Sequence, residues 1–420
     1  MKSNFKIETL GECTVSSPIS SVCFVEDSQN VRYDAVVTDG KNCSEGELLE
    51  LAGPRKKIFF NPEKTKAAIV TCGGLCPGLN DVIRGLVMVL WYMYGVKEIL
   101  GIRYGYQGLT FSSEDKPVKL SPEVVEDINT QGGTILGSSR GDQSPVEIAD
   151  FLVKNGINIL FTIGGDGTQR GALKIAEEIK KRGEKIAVIG IPKTIDNDIA
   201  FTERTFGFET AIEMSRLPVI CAHKEAKGAK NGIGLVKLMG RDSGFIAANA
   251  TMATSDVNLI LVPEVDFRLE NVMKYLEWRM LNKSHAVIVV AEGAGQNYVK
   301  DSGTDASGNK LHGDIGLFLK DKIKDYFRGK NIPVSIKYID PSYTIRSSEA
   351  NANDSVFCFQ LAENAVHAAM TGRTAMVISL WNNHFVNIPV QKSVEYRKKI
   401  DPNGLFWQSV LNNTGQPEMK

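Results

Sequence analysis

The chain has no charge bias. Lys and Arg number 49, Asp and Glu number 49, and the formal net charge is zero. That argues against bulk adhesion to nucleic acid or to an anionic membrane surface. Long apolar runs are missing too: the longest, residues 86–94, falls far short of the roughly 20 residues a membrane span needs. The opening Met1-Lys2-Ser3-Asn4 leads into polar residues and the chain closes on Pro-Glu-Met-Lys, neither of which is a targeting signal, so a cytoplasmic protein is expected. Cysteine is sparse and unpatterned. The seven residues, Cys13, Cys23, Cys43, Cys72, Cys76, Cys221 and Cys358, include no CxxC pair, which argues against a disulfide frame or a zinc site. Five scattered His without HExxH give no metal signature either.

What is present is length and rhythm. At 420 residues the chain exceeds the roughly 250–300 that one core supports, so two domains are expected. Residues 1–66 are polar and interrupted, with a short alternating run at 31–37, and read as an N-terminal extension of short strands and loops. From Lys66 on, apolar runs alternate with segments of helical period. Strands are predicted at 67–71, 99–103, 157–163, 186–191, 234–238, 259–262, 286–291, 334–338 and 375–380. Helices are predicted at 79–94, 169–182, 209–227, 269–281, 313–327 and 354–370. This alternation, with runs buried on both faces, predicts an α/β protein of doubly wound, mainly parallel sheets. The expected division is 67–207 as a nucleotide-binding domain completed by part of 347–400, 208–346 as a second α/β domain, and 347–420 packing across both. Ligands in such folds bind at the C-terminal ends of strands.

Three stretches at those ends carry chemistry. Cys72-Gly73-Gly74-Leu75-Cys76-Pro77-Gly78 lies between a strand and a helix. Its glycines let backbone N–H groups approach a phosphate, although the GK[ST] ending of a P-loop is missing. Ile163-Gly164-Gly165-Asp166-Gly167-Thr168 has the same placement; Asp166 can hold Mg²⁺ beside nucleotide phosphates, or can simply cap a helix. Pro192-Lys193-Thr194-Ile195-Asp196-Asn197-Asp198 follows the strand at 186–191. If extended, it puts Thr194, Asp196 and Asp198 on one face, and Asp196 suits the carboxylate that takes a proton from an attacking hydroxyl.

These stretches, together with Gly137-Ser138-Ser139-Arg140, Met239-Gly240-Arg241, Ala291-Glu292-Gly293 and Tyr343-Thr344-Ile345-Arg346, occur in the order found in phosphofructokinases, and residues 67–410 resemble that family. The resemblance implies a kinase that uses ATP and Mg²⁺ to phosphorylate fructose 6-phosphate, in a homotetramer. It implies that Gly73, Arg140, Gly141, Gly165, Asp166, Gly167, Thr168 and Lys193 meet the donor. It further implies that Asp196 is the proton acceptor, with Arg140 and Thr194 beside the reacting phosphoryl group. Ile195, Met239, Gly240, Arg241, Glu292, Lys337, Tyr343 and Arg346 are then expected around the sugar phosphate. The family's cross-subunit arginine is missing near Gly232, where Lys227 or Lys230 could substitute. Pyrophosphate users in the family carry Asp at the position of Gly167, which would repel the α-phosphate of ATP; Lys193 is the residue typical of that pyrophosphate branch. Gly167 with Lys193 resembles an ATP-using lineage related to it. A pyrophosphate-dependent enzyme is the nearest rival. An NAD or lipid kinase with the same Gly-Gly-Asp-Gly-Thr, and a catalytically silent sugar-phosphate-binding subunit, are more distant ones.

Overall fold

The computed structural model describes residues 5–20, 23–36, 47–141, 143–299, 303 and 312–420. Cys43 and Val37, the end of the alternating run, lie outside them. The described chain is a mixed α/β protein that divides into two compact units. The first comprises residues 1–195, 199–207 and 347–396; the second comprises 196–198, 208–346 and 397–420.

The first unit is built on a nine-stranded sheet. Its order is Asn30–Arg32, Leu48–Leu51, His384–Pro389, Met376–Trp381, Ala187–Pro192, Ile159–Gly164, Lys66–Thr71, Glu98–Ile102, Val118–Lys119. The five strands from Met376–Trp381 to Glu98–Ile102 run parallel, and the outer ones are antiparallel. Ile159–Gly164 and Ala187–Pro192 are buried at every position, which explains their nearly unbroken apolar sequence; the one polar residue, Thr162, donates its hydroxyl to the Ile189 carbonyl at 3.4 Å. Helices Leu79–Met88, Pro145–Lys154, Asp166–Arg182 and Ala352–Met370 also belong to this unit. Residues 79–94 form one α-helix to Met88 and a π-helical continuation over Val89–Tyr94, not a uniform helix. Pro145–Lys154 starts on a Ser144 hydroxyl that accepts from the Glu147 amide, with Pro145 where no donor is needed.

The N-terminal residues add strands to this unit. Leu48–Leu51 pairs with His384–Pro389, and Glu8–Thr9 with Arg373–Thr374. The buried guanidinium of Arg55 donates to Asp27 at 2.8 Å; that of Arg373 reaches Asp27 at 2.8 Å and Glu50 at 2.5 Å.

The second unit has a four-stranded parallel sheet in the order Leu259–Leu261, His285–Ala291, Gly232–Leu238, Ser335–Ile339. Helices Phe208–Gly228, Phe245–Thr254, Leu269–Lys283 and Ile315–Gly329 accompany it. Its core gathers Leu235, Val290, Leu276, Leu319 and Phe327. No described helix is long and apolar enough to cross a membrane.

Candidate active site

In the first unit, adjacent parallel strands deliver the glycine turns to one sheet edge. The strand Lys66–Thr71 ends in a loop where Gly73 takes φ 83°, a left-handed conformation that favours glycine. The Gly73 amide donates to the Ser139 carbonyl at 3.1 Å, and the Ser138 hydroxyl donates to the Gly73 carbonyl at 2.5 Å. A Cβ on Gly74 would stand 3.5 Å from an Arg140 guanidinium nitrogen. The buried Lys193 ammonium donates to the Gly74 carbonyl at 2.8 Å. The structure thus gathers Gly73, Arg140 and Lys193, which the sequence separates by up to 120 positions. Arg140 and Gly141 are exposed.

The second glycine turn lies beside it. Lys193 donates its amide to the Gly164 carbonyl at 2.9 Å, and the buried Gln169 amide reaches the carbonyls of Gly164 at 3.0 Å and Ile191 at 3.3 Å. Asp166 is the first residue inside the helix Asp166–Arg182. The capping position belongs to Gly165, so the simple capping reading of Asp166 does not hold. The Asp166 carboxylate instead pairs with Arg170 at 3.0 Å. Around Gly167 a Cβ would meet nothing within 4 Å, whereas at Gly164 it would come within 2.2–2.6 Å of the buried Thr168 side chain. Cys72 and Cys76 are packing residues: burial pushes the Cys72 thiol up to about 12, and the Cys76 thiol donates to the Phe206 carbonyl at 3.3 Å.

The stretch after Pro192 is not extended as expected. It turns at Ile195 and Asp196, and Asn197 takes φ 55°. Alternation therefore does not place the acids; the turn does. The Thr194 carbonyl accepts from the Thr205 hydroxyl at 2.6 Å, and Ile195 is buried.

In the second unit, Asp196 sits against the Met239-Gly240-Arg241 turn. Its Oδ2 accepts from the Arg241 amide at 3.4 Å, and its carbonyl accepts from the Ser243 hydroxyl at 3.2 Å. Gly240 allows the turn: its φ is 128°, and a Cβ there would fall 2.5 Å from the Ser243 carbonyl. Met239 is buried. The Glu292 amide donates to the Leu238 carbonyl at 2.9 Å and the Gly293 amide to the Gly240 carbonyl at 3.0 Å, which ties Glu292 to the same strand end. Burial raises the Asp196 carboxyl well above its ordinary range, and the negative charges of Asp198, Glu292 and Asp242 add to the effect. Burial also raises Glu292, offset by Arg346, Lys237 and Arg241. Arg397 pairs with Asp198 at 3.9 Å and also with Asp242.

Tyr343 is 81 % exposed on the short helix Ser342–Arg346, with the Arg346 guanidinium 5.1 Å from its ring centre. Lys337 falls in the strand predicted at 334–338. It lies within the strand Ser335–Ile339, opposite Gly234 and not at a strand end, and its ammonium is 3.9 Å from Glu225. The cation at the strand end is Lys237, which the sequence reading passed over as part of an apolar run. The signal was a lysine two residues before Met239 in an otherwise apolar strand.

The family description Phosphofructokinase matches residues 66–369. The chain is 54 % identical to an ATP-dependent 6-phosphofructokinase of Borreliella burgdorferi, over 99 % of this chain and 97 % of that one. It is 49 % identical to one of Entamoeba histolytica (96 % and 92 %) and 44 % identical to one of Amycolatopsis methanolica (99 % and 95 %). Among solved structures, the fold is similar to a pyrophosphate-dependent phosphofructokinase of Marinobacter aquaeolei, with TM-score 0.69 at 18 % identity over 84 % of this chain and 91 % of that one. It is also similar to Pichia pastoris phosphofructokinase, with TM-score 0.64 at 22 % identity over 84 % of this chain and 38 % of that one.

Proposed function

The chain belongs to the phosphofructokinase family, and from that premise we propose how its residues work. The reaction is transfer of the terminal phosphoryl group of ATP to the 1-hydroxyl of fructose 6-phosphate, giving fructose 1,6-bisphosphate. The carrying observation is Asp196: a buried carboxylate hydrogen-bonded by the Arg241 amide, its proton affinity raised by burial and by neighbouring acids. A raised carboxyl is a stronger base, and it takes the hydroxyl proton as the oxygen attacks.

The donor half draws on the first unit. Backbone amides of the Gly73 and Gly165 turns, with Arg140, Lys193, Gly141 and Thr168, hold the phosphates; Arg140 and Thr194 offset charge on the transferring group. Open space at Gly167 leaves room for the α-phosphate, and relatives named for ATP at 44–54 % identity support ATP over pyrophosphate. Among the described residues no group of three His, Cys, Asp or Glu gathers to hold a metal by itself. The carboxylate of Asp166, which pairs with Arg170 in this structure, is the hard oxygen donor that would hold Mg²⁺. When bound, that ion neutralises charge on the donor phosphates.

The acceptor half draws on the second unit. Glu292 and Met239-Gly240-Arg241 take the sugar, and Tyr343 and Arg346 its phosphate. Lys337 remains a candidate for the same phosphate. We place the protein in the cytoplasm as an allosteric homotetramer acting in glycolysis. Sedimentation of the purified chain tests the assembly. A coupled assay with fructose 6-phosphate, run with ATP and with pyrophosphate, tests the reaction: turnover with ATP is expected, and turnover with pyrophosphate alone overturns the donor assignment.

A further inference from the structure

We infer that Lys237 is a positioning residue for the sugar phosphate: by tethering Asp340, it fixes the short helix that carries Tyr343 and Arg346. This rests on the acceptor assignment above. Lys237 is at the penultimate position of the strand Gly232–Leu238. Its side chain is only 13 % exposed, and the ammonium lies 2.9 Å from Asp314 and 2.9 Å from Asp340.

Both acids also start helices. Asp314 accepts from the Leu317 amide at 3.0 Å and caps Ile315–Gly329; the Tyr338 hydroxyl donates to it at 3.1 Å. Asp340 accepts from the Ser342 amide at 3.1 Å and the Ser342 hydroxyl at 2.5 Å, which sets the first turn of Ser342–Arg346. One cation therefore joins the strand that presents Met239, Gly240 and Arg241 to the turn that presents Tyr343 and Arg346.

The electrostatics agree. Burial alone would lower the Lys237 ammonium, yet the bonds from Asp340 and Asp314 hold it well above its ordinary value. Burial would raise Asp340, yet its bonds from Ser342 and Lys237 keep it low. All three groups stay charged, and Lys237 is committed to carboxylates, not to a ligand. A tether of this kind acts on substrate affinity. Misplacing a binding group without touching the proton acceptor raises KM more than it lowers kcat.

The test is steady-state kinetics on purified K237M, D340A and the double variant, with thermal melts beside them. K237M and D340A should each raise KM for fructose 6-phosphate roughly tenfold, with kcat within about threefold and KM for ATP unchanged. The double variant should be no worse than either single one, because one link has been cut twice. Unchanged KM for the sugar phosphate in K237M, or effects that multiply in the double variant, overturn the inference. Should K237M fail to fold, K237R, which keeps the charge on Asp340, replaces it: near wild-type KM is expected, and a rise equal to that of D340A overturns the inference. Wild-type chain that does not phosphorylate fructose 6-phosphate overturns the underlying assignment instead, so the two failures are separable.

Discussion

Gly167→Asp separates charge from packing in the choice of phosphoryl donor. Gly167 is the second residue of the helix Asp166–Arg182, and a Cβ there meets nothing within 4 Å. The protein therefore accepts a side chain at this position without rearrangement. A carboxylate in the first turn faces the positive end of the helix dipole, a favourable contribution of about 0.3–1 kcal/mol. Losing a helical glycine adds a few tenths more. The variant should melt no lower than wild type. The donor sees the opposite. A carboxylate about 5 Å from an α-phosphate charge, at an effective dielectric of about 20, repels it by roughly 3 kcal/mol. That is about a hundredfold in affinity. We expect kcat/KM for ATP to fall about 10²-fold, with KM for fructose 6-phosphate changing less than about twofold. Gly167→Asn, of nearly the same size without the charge, should lose far less, and added salt should narrow the gap. The measurement is initial rate against ATP at saturating fructose 6-phosphate, repeated at two ionic strengths. If Gly167→Asp binds ATP normally, Gly167 does not face the nucleotide and the donor argument is wrong. If Gly167→Asn is equally impaired, bulk and not charge decides.

The remaining predictions concern both chemistry and stability. Asp196→Asn should cut kcat by about 10²–10⁴ while leaving the KM for fructose 6-phosphate nearly intact; near-normal turnover refutes Asp196 as the proton acceptor. The same variant should melt higher at neutral pH. The native carboxyl of Asp196 holds its proton to higher pH than the unfolded one, so its stabilising contribution is complete below the unfolded value and is lost as pH rises through the native one. A gain that persists unchanged in strong acid contradicts this account. Gly164→Ala should cost about 1–3 kcal/mol by overpacking, because the new methyl meets three Thr168 side-chain atoms, whereas Gly167→Ala has open space; equal melting of the two variants rules out the steric account. His367, buried beside the Tyr94 hydroxyl at 2.8 Å, is lowered to about 4 by burial and by Arg55. Neutral in the native state but protonated in the unfolded chain below about 6.5, it should withdraw up to about 3 kcal/mol of stability as pH falls from 6.5 towards 4. Denaturant midpoints of wild type and His367→Gln across that window should converge as pH falls, and parallel curves refute the linkage.

The candidate site residues could be picked out in the sequence wherever backbone requirements restrict residue choice. Glycine before a helix, an acid after a buried strand and arginines in loops are written one residue at a time, so Gly73, Asp166, Asp196 and Arg241 could be named without coordinates. The parallel strands were legible for a similar reason: a strand covered on both faces, such as Ile159–Gly164, is apolar except where a polar side chain finds a partner, as Thr162 does in the Ile189 carbonyl. Helices with no polar face were harder to see. Phe245–Thr254 is mostly small and apolar residues, half of them buried, and has no clear amphipathic period to detect. The late strand His384–Pro389 follows a two-residue turn at Asn382 and Asn383 with positive φ, and it pairs with residues more than 300 positions earlier. Contacts of that range leave no local trace. Only tertiary structure decided that Asp196 is set by a turn, that Lys337 stands opposite Gly234, and that Lys237 lies between two acids. A side chain's charge is a local property, but its partners and its burial come from segments brought together by folding. The sequence by itself determined which chemistry was available; the packing of distant strand ends decided which groups share a cluster.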